Sequence, residues 1–192
     1  MRKLIYNAQT TLNNRIADPD GAFWEPFPWG DAEQAFTNRF YAGVDTWVLT
    51  RKVFEVIVPW WTTVAEGNVP DDVPAVSAVD REFAGLLAAS RKIAISRTMG
   101  PAPDREVISG DIATELQRLK EESGTDILLG AGPATLAPLL RVRGLIDELL
   151  LVLHPAVISS GPRLFDDDDL ALRLIEATPF PAGAIVVRYQ VL

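Results

Sequence analysis

Three short stretches of this chain carry groups suited to holding phosphate. Thr50-Arg51-Lys52 and Ser96-Arg97-Thr98 set cations beside hydroxyls, and Gly130-Ala131-Gly132-Pro133 offers nearly bare backbone. Guanidinium, ammonium and hydroxyl groups together meet phosphate oxygens through charge-assisted hydrogen bonds. A glycine turn that opens a helix presents unpaired N–H groups at the positive end of the helix dipole, which suits a second phosphate. The pairing fits a dinucleotide, with pyrophosphate on the glycine turn and a ribose phosphate on Arg51, Lys52, Ser96 and Arg97. A plainer reading stands beside it: Gly-x-Gly also makes an ordinary tight turn, and single exposed cations are common. In a chain of net charge −8, a basic cluster on one rim would be informative.

Composition narrows the alternatives. At 192 residues, 48% apolar, the chain is expected to form one domain over 1–192. It contains no cysteine and one histidine, His154. Disulfides, thiolate metal sites and multi-histidine metal sites are thereby excluded, and no metal is expected. The acidic balance argues against nucleic-acid binding, which needs a basic face. No apolar run reaches the ~18–20 residues of a membrane helix, and the N-terminus has no signal-peptide core, so a cytoplasmic protein is expected.

The elements that must position the three stretches follow from pattern. Lys3–Thr10 and Val44–Leu49 read as strands, as do Lys92–Ser96 and Glu106–Ser109. Asp31–Tyr41 reads as a helix capped by Asp31, with Ala35, Phe36 and Phe40 inward. Val53–Val58 reads as a short helix, and Trp60–Val79 as a surface excursion. Asp80–Ala89 and Asp111–Ser123 read as helices, the latter capped by Asp111. Ile127–Leu129 is a buried strand that turns through the glycines into a helix with Pro133 at its first position and Leu136, Leu139 and Leu140 on its apolar face. Glu148–His154 is a continuous apolar strand of mid-sheet type, extended by Pro155–Ile158. Leu170–Pro179 and Ala184–Leu192 form a final hairpin. Strands alternating with helices, then ending in strands, predict an α/β three-layer sandwich: a mixed, mostly parallel central sheet flanked by helices, with an antiparallel C-terminal hairpin. In such a sheet, ligands bind beyond the carboxyl ends of the strands, where all three phosphate-type stretches fall. The stretch AFWEPFPWG (22–30) is aromatic and broken by Pro26 and Pro28, so it either packs as a flap or lines a pocket.

In this order, the motifs resemble the dihydrofolate-reductase-like superfamily, and in particular the reductase domain of bacterial riboflavin biosynthesis and its stand-alone relatives. The segments that carry the likeness are MRKLIYNAQTTLNNRIADPDG at the start, DTWVLTRKVFE from Asp45, KIAISRT from Lys92, VISGDIATELQRLK with DILLGAGPATLAPLL, and IDELLLVLHPAVISSGPRLF from Ile146. The resemblance implies an NADPH-dependent reductase of a pterin or ribosylaminopyrimidine-like small molecule, with homodimers common among relatives. It places the nicotinamide near Asn7 and Ala8, the 2′-phosphate on Thr50, Arg51, Lys52, Ser96 and Arg97, and the pyrophosphate on Gly130, Ala131, Gly132, Pro133, Ala134 and Thr135. The substrate is expected against Asn13, Asn14, Trp24 and Trp29. Two departures fall on this surface. Relatives usually read Ser-Leu-Asp-Gly where this chain has Thr11-Leu12-Asn13-Asn14, which removes an acid and replaces a glycine. Thr50 replaces a glycine, and Val53 a threonine. A non-catalytic nucleotide- or small-molecule-binding protein on the same fold is the alternative. His154 is expected to be structural, and Asp166–Asp169 a solvated loop. Glu25 and Asp31 are the acids nearest the aromatic stretch.

Overall fold

The computed structural model describes residues 1–22, 27, 29–70, 75–165 and 169–192. In chain order the elements are β1 (Leu4–Thr11), α1 (Asp31–Tyr41), β2 (Val44–Thr50), α2 (Arg51–Ala65), α3 (Ala78–Ala89), β3 (Arg91–Ile95), β4 (Glu106–Ile108), α4 (Ile112–Glu121), β5 (Asp126–Gly130), α5 (Pro133–Leu140), β6 (Glu148–His154), β7 (Leu172–Pro179) and β8 (Ile185–Val191). They form one eight-stranded sheet in the order β4-β3-β2-β5-β1-β6-β8-β7. The first six strands run parallel, and β8 lies antiparallel between β6 and β7. This is the expected mixed α/β sandwich.

Two apolar clusters make the outer interfaces of the sheet. On one face Leu4, Tyr6, Leu149 and Leu151 meet Leu116 and Leu119 of α4 and Leu136 and Leu139 of α5. On the other, Ile5, Leu49, Leu150 and Val152 meet Tyr41, Phe54, Val58, Phe83 and Leu87 of α1–α3. Alternate residues of β1 and β6 are therefore buried on opposite faces, which is why the interior of β6, Leu149–Leu153, reads as a continuous apolar run. Buried charges fasten the edges of the core. Lys120 is sealed from solvent and pairs with Asp147 at 2.7 Å. Glu148 is held between Lys3 and Arg188, and Arg2 pairs with Asp45.

The structure departs from the expected elements in four places. First, α2 does not stop near Val58. It continues through Pro59 to Ala65, because Val64 packs into the core and Trp61 sets its ring edge-on to Phe83 at 4.8 Å. That packing outweighs the hydrogen bond that an interior proline removes. Second, α3 begins earlier than Asp80: Ser77 is its cap, and Asp80 closes a reciprocal capping box. Third, β6 ends at His154, and Pro155–Ile158 is not strand. Fourth, α1 is capped by Gly30 rather than Asp31, and its buried residues are Glu33, Gln34, Thr37, Asn38 and Tyr41. Phe36 and Phe40 pack half-buried against the second apolar cluster, as expected, with Arg39 and Arg188 over their outer faces at 5.2 Å each. α1 thus buries a polar stripe, Glu33, Gln34, Thr37 and Asn38, beside its apolar one, which an apolar-stripe pattern cannot reveal.

Candidate functional site

Two of the three phosphate-type stretches meet in one cavity; Gly130–Pro133 do not line it, and the helix that they open contributes only Thr135. A cavity of about 640 Å³ lies at the carboxyl ends of β2 and β3. Its lining includes Thr50, Arg51, Lys52, Ser96, Arg97, Thr98, Ser109, Gly110 and Thr135. Among the described residues, its lining holds three cations and no carboxylate. Tight turns set each group in place. Ser96 Oγ accepts from the Thr98 and Met99 N–H groups at 3.1 and 2.9 Å, which leaves its O–H as a donor. Arg51 makes an exposed contact with Glu55 one turn on, at 3.4 Å, a pairing of small worth at the surface. Lys52 Nζ lies 3.5 Å from Gly21 O, so the loop after β1 touches the same rim.

Helix caps distinguish this rim further. The starts of α3 and α4 are closed by the side chains of Ser77 and Asp111. The starts of α1, α2 and α5 have no side-chain cap. These three helices follow β1, β2 and β5, which lie side by side at the centre of the sheet. Open N-termini gathered at adjacent strand ends favour an anion there. Thr50 caps α2 with extended backbone, and its hydroxyl makes no capping bond.

The glycine turn divides by residue. A methyl group on Gly130 would sit 2.7 Å from Leu49 Cδ2, so this glycine serves close packing between β5 and β2. Gly132 caps α5, and nothing lies within 4 Å of where its Cβ would be. Ala131 O accepts from the Tyr6 hydroxyl at 2.7 Å. The N–H groups of Thr135 and Leu136 both return to Gly132 O. The turn is therefore tighter than expected, and Ala134 is the remaining first-turn residue with an N–H, since Pro133 has none.

On the substrate side, Asn13 and Asn14 already have partners. Asn13 donates to Ile158 O at 2.7 Å and accepts from Ile158 N–H and the Thr11 hydroxyl. Asn14 donates to Phe165 O at 2.6 Å and accepts from Phe165 N–H. Each amide acts like a piece of strand backbone and pins the segment after β6. Asn14 has φ 65°, the left-handed region where glycine is freest and asparagine is the best-tolerated substitute. That geometry explains how the family glycine could be replaced here. Trp24 lies outside the described residues, as do Glu25 and Asp166–Asp168. Asp31 is exposed.

Asn7 and Ala8 point to opposite faces of β1. Asn7 donates to Leu150 O and accepts from the Tyr41 hydroxyl at 3.3 Å. Farther along that face, Gln9 Oε1 lies 2.8 Å from His154 Nε2. His154 is fully buried, and its Nδ1 has no hydrogen-bond partner among the described residues. Phe27 covers the imidazole at 4.7 Å, and Trp29 stands 6.1 Å away. Burial pushes the His154 pKa down to about 4, so the ring is neutral near pH 7. Trp29 Nε1 donates to Gln34 Oε1 at 2.7 Å. The Gln34 amide donates to Asn38 Oδ1, and Asn38 donates to Glu82 and Val79 O on α3. Trp29 is thus anchored through α1. Gln9, Glu33, Gln34 and Asn38 were not singled out from the sequence. For the three on α1 the only signal there was polarity at helical spacing, which looks like a solvated face until the helix is docked, and Gln9 is a lone polar residue of β1.

Comparison with known proteins supplies the remaining information. The family model described as the RibD C-terminal domain matches residues 2–186. The chain is 26% identical over 194 residues to the uncharacterized protein YyaP of Bacillus subtilis (strain 168), covering 98% of this chain and 95% of that protein. Its fold is similar to a diaminohydroxyphosphoribosylaminopyrimidine deaminase/5-amino-6-(5-phosphoribosylamino)uracil reductase from Thermotoga maritima, with a TM-score of 0.67 and 14% identity over 100% of this chain and 57% of that one. It is also similar to dihydrofolate reductase from Enterococcus faecalis in complex with NADP(H), with a TM-score of 0.59 and 13% identity over 98% and 94% of the two chains.

Proposed function

Because the chain belongs to the RibD C-terminal domain family, we propose that it is a cytoplasmic, NADPH-dependent reductase of a heterocyclic small molecule, of the pterin or ribosylaminopyrimidine kind. The observation that carries this reading is the cavity that holds Arg51, Lys52 and Arg97 with Thr50, Ser96 and Thr135. A pocket of that composition, in a chain of net charge −8, suits the 2′-phosphate of NADPH. Gly132, Ala134 and the start of α5 then serve the pyrophosphate, and Asn7 and Ala8 the nicotinamide end. When bound, NADPH supplies the hydride. The chain's own residues orient it, exclude water and present the substrate beside Trp29.

The test is a comparison of cofactors. NADPH is expected to raise the melting temperature, and NADH to do so weakly. Arg51→Ala together with Arg97→Ala is expected to weaken NADPH binding by ~10–100-fold per lost charged hydrogen bond, while NADH binding changes little. No shift with either cofactor in the unaltered protein would sink the assignment. A binder without turnover is the second reading, favoured by the commitment of the Asn13 and Asn14 amides to backbone. NADPH binding without oxidation across pterin and ribosylaminopyrimidine substrates would establish it. We further propose a homodimer through the C-terminal hairpin, where Leu172, Leu174 and Ile175 of the edge strand β7 are exposed. Light scattering on the purified chain reads this directly.

A further inference from the structure

The segments that follow β1 and β6 meet at an isolated pair of residues, and both are arginines. Arg15 and Arg163 face each other across a single antiparallel bridge. The bonds on either side of it run from Leu164 N–H to Asn14 O at 3.0 Å and from Ile16 N–H to Pro162 O at 3.1 Å. Arg15 and Arg163 therefore hold a non-hydrogen-bonded position, where opposed side chains leave one face of the ribbon and come closest. Like charges directly opposite each other in this way are destabilising.

Among the described residues, nothing offsets that cost. Neither guanidinium makes an ion pair there. Arg15 donates through Nη1 to Gly161 O, and its Nε–H is buried without a partner. A buried donor left unmade costs free energy, so stability does not explain it. Arg163 is exposed, and its side chain makes no hydrogen bond among the described residues. Asp18, the next acid along the chain from Arg15, accepts instead from the Ala22 N–H at 2.8 Å. The cations that fasten the core, Arg2, Lys120 and Arg188, each have a carboxylate. With 26 acidic residues against 18 lysines and arginines, the chain does not lack acids to place beside this pair.

The ribbon is also braced, so the two charges are held together. The Asn13 amide is bound to Ile158 and the Asn14 amide to Phe165, on either side of Arg163. Gly161 packs so closely that a Cβ there would strike Ala17 O. β1 and β6 are neighbouring parallel strands, and both arginines lie beyond their carboxyl ends, where ligands bind such sheets. β2, whose end bears Arg51 and Lys52, is two strands from β1, about 10 Å across the sheet. The rim thus carries two separate cationic places.

We infer that Arg15 and Arg163 form a second anion site, which takes a phosphate monoester. Two guanidiniums match the charge of about −2 on such a group and offer it paired N–H donors. On the reductase reading, which gives the cofactor phosphates to the rim over β2, β3 and β5, the ligand here is the anionic end of the substrate. The site itself does not depend on that reading.

The test uses the full chain carrying Arg51→Ala and Arg97→Ala, so that the cavity does not compete for phosphate. Inorganic phosphate, ribose 5-phosphate and ribose are titrated at constant ionic strength, while NMR follows the Arg15 Nε–H and the Gly161, Arg163 and Leu164 amides. Both phosphates are expected to move these signals to saturation, and ribose is not. Arg163→Gln in the same background should weaken the binding by ~10–100-fold, and Arg163→Lys by less. Without ligand, Arg163→Gln should melt no lower than its parent, because it relieves the repulsion. Signals that stay still, equal affinity in Arg163→Gln, or saturation by inorganic phosphate but not by ribose 5-phosphate would each overturn the inference. So would a lower melting temperature, which would make Arg163 a structural cation. NADPH binding is measured in parallel on the unaltered protein. If NADPH fails to bind while the phosphates saturate the arginine pair, the reductase reading has failed and the site stands. If NADPH binds and the phosphates move nothing, the site alone has failed.

Discussion

Lowering the pH should destabilise this protein through its one histidine. The His154 pKa is pushed from 6.5 down to about 4 by burial. The folded state therefore favours the neutral ring, while the unfolded chain takes up a proton below pH 6.5. The sign follows directly: the stability that the neutral ring contributes is fully present above pH 6.5 and is lost as pH falls toward 4. At pH 5 the unfolded chain is almost fully protonated at this site and the folded one only slightly, so the loss is up to about 2 kcal/mol. For a domain of this size that is a fall of roughly 4–8 °C in melting temperature. Carboxylates held low by ion pairs, such as Glu148 and Glu106, contribute a further loss at lower pH, so a control is needed. His154→Gln removes the titration and keeps a polar side chain. The difference in melting temperature between pH 7 and pH 5 should be smaller in that variant than in the original, whatever its stability at pH 7. Because the chain has a single histidine, NMR of the imidazole gives an unambiguous titration. A midpoint near 6.5, or equal pH dependence in the two proteins, would refute the reasoning. Gln9, Phe27 and Trp29, the side chains in contact with or near the ring, carry no charge, so burial is the cause under test.

Two further outcomes follow from backbone and packing. Asn14→Ala should destabilise more than Asn14→Gly in thermal denaturation. Both lose the two bonds to Phe165, but alanine must also hold φ 65°, at a further ~1–2 kcal/mol. Gly130→Ala should lower stability by ~1–3 kcal/mol. Its methyl would meet Leu49 Cδ2 at 2.7 Å, and Leu49 is only 1% exposed and so has little room to move.

Much of the fold was legible because its signals are local. Strand interiors such as Leu149–Leu153 are apolar throughout, Asp111 caps its helix as read, and Pro133 opens the helix after the glycine turn. What failed depended on packing between elements. The helix read over Val53–Val58 runs on through Pro59 to Ala65, because Trp61 and Val64 find burial only against the neighbouring helix and core. Asp31 reads as a cap, but Gly30 holds that place.

The site divides in the same way. Residue types and order along the chain were enough to bring out Arg51, Lys52, Ser96, Arg97 and the turn at Gly130–Pro133, since a strand followed by a helix must deliver its loop to the carboxyl end of the sheet. Only the tertiary structure decided that Arg51, Arg97 and Thr135 line one cavity. It alone showed that Gly130 is there for Leu49, and that Asn13 and Asn14 hold a distant segment of backbone. It alone turned Glu33, Gln34, Thr37 and Asn38 inward. A helix's polar stripe looks the same in sequence whether it meets water or a pocket. Which of the two it meets is set by contacts between residues far apart in the chain.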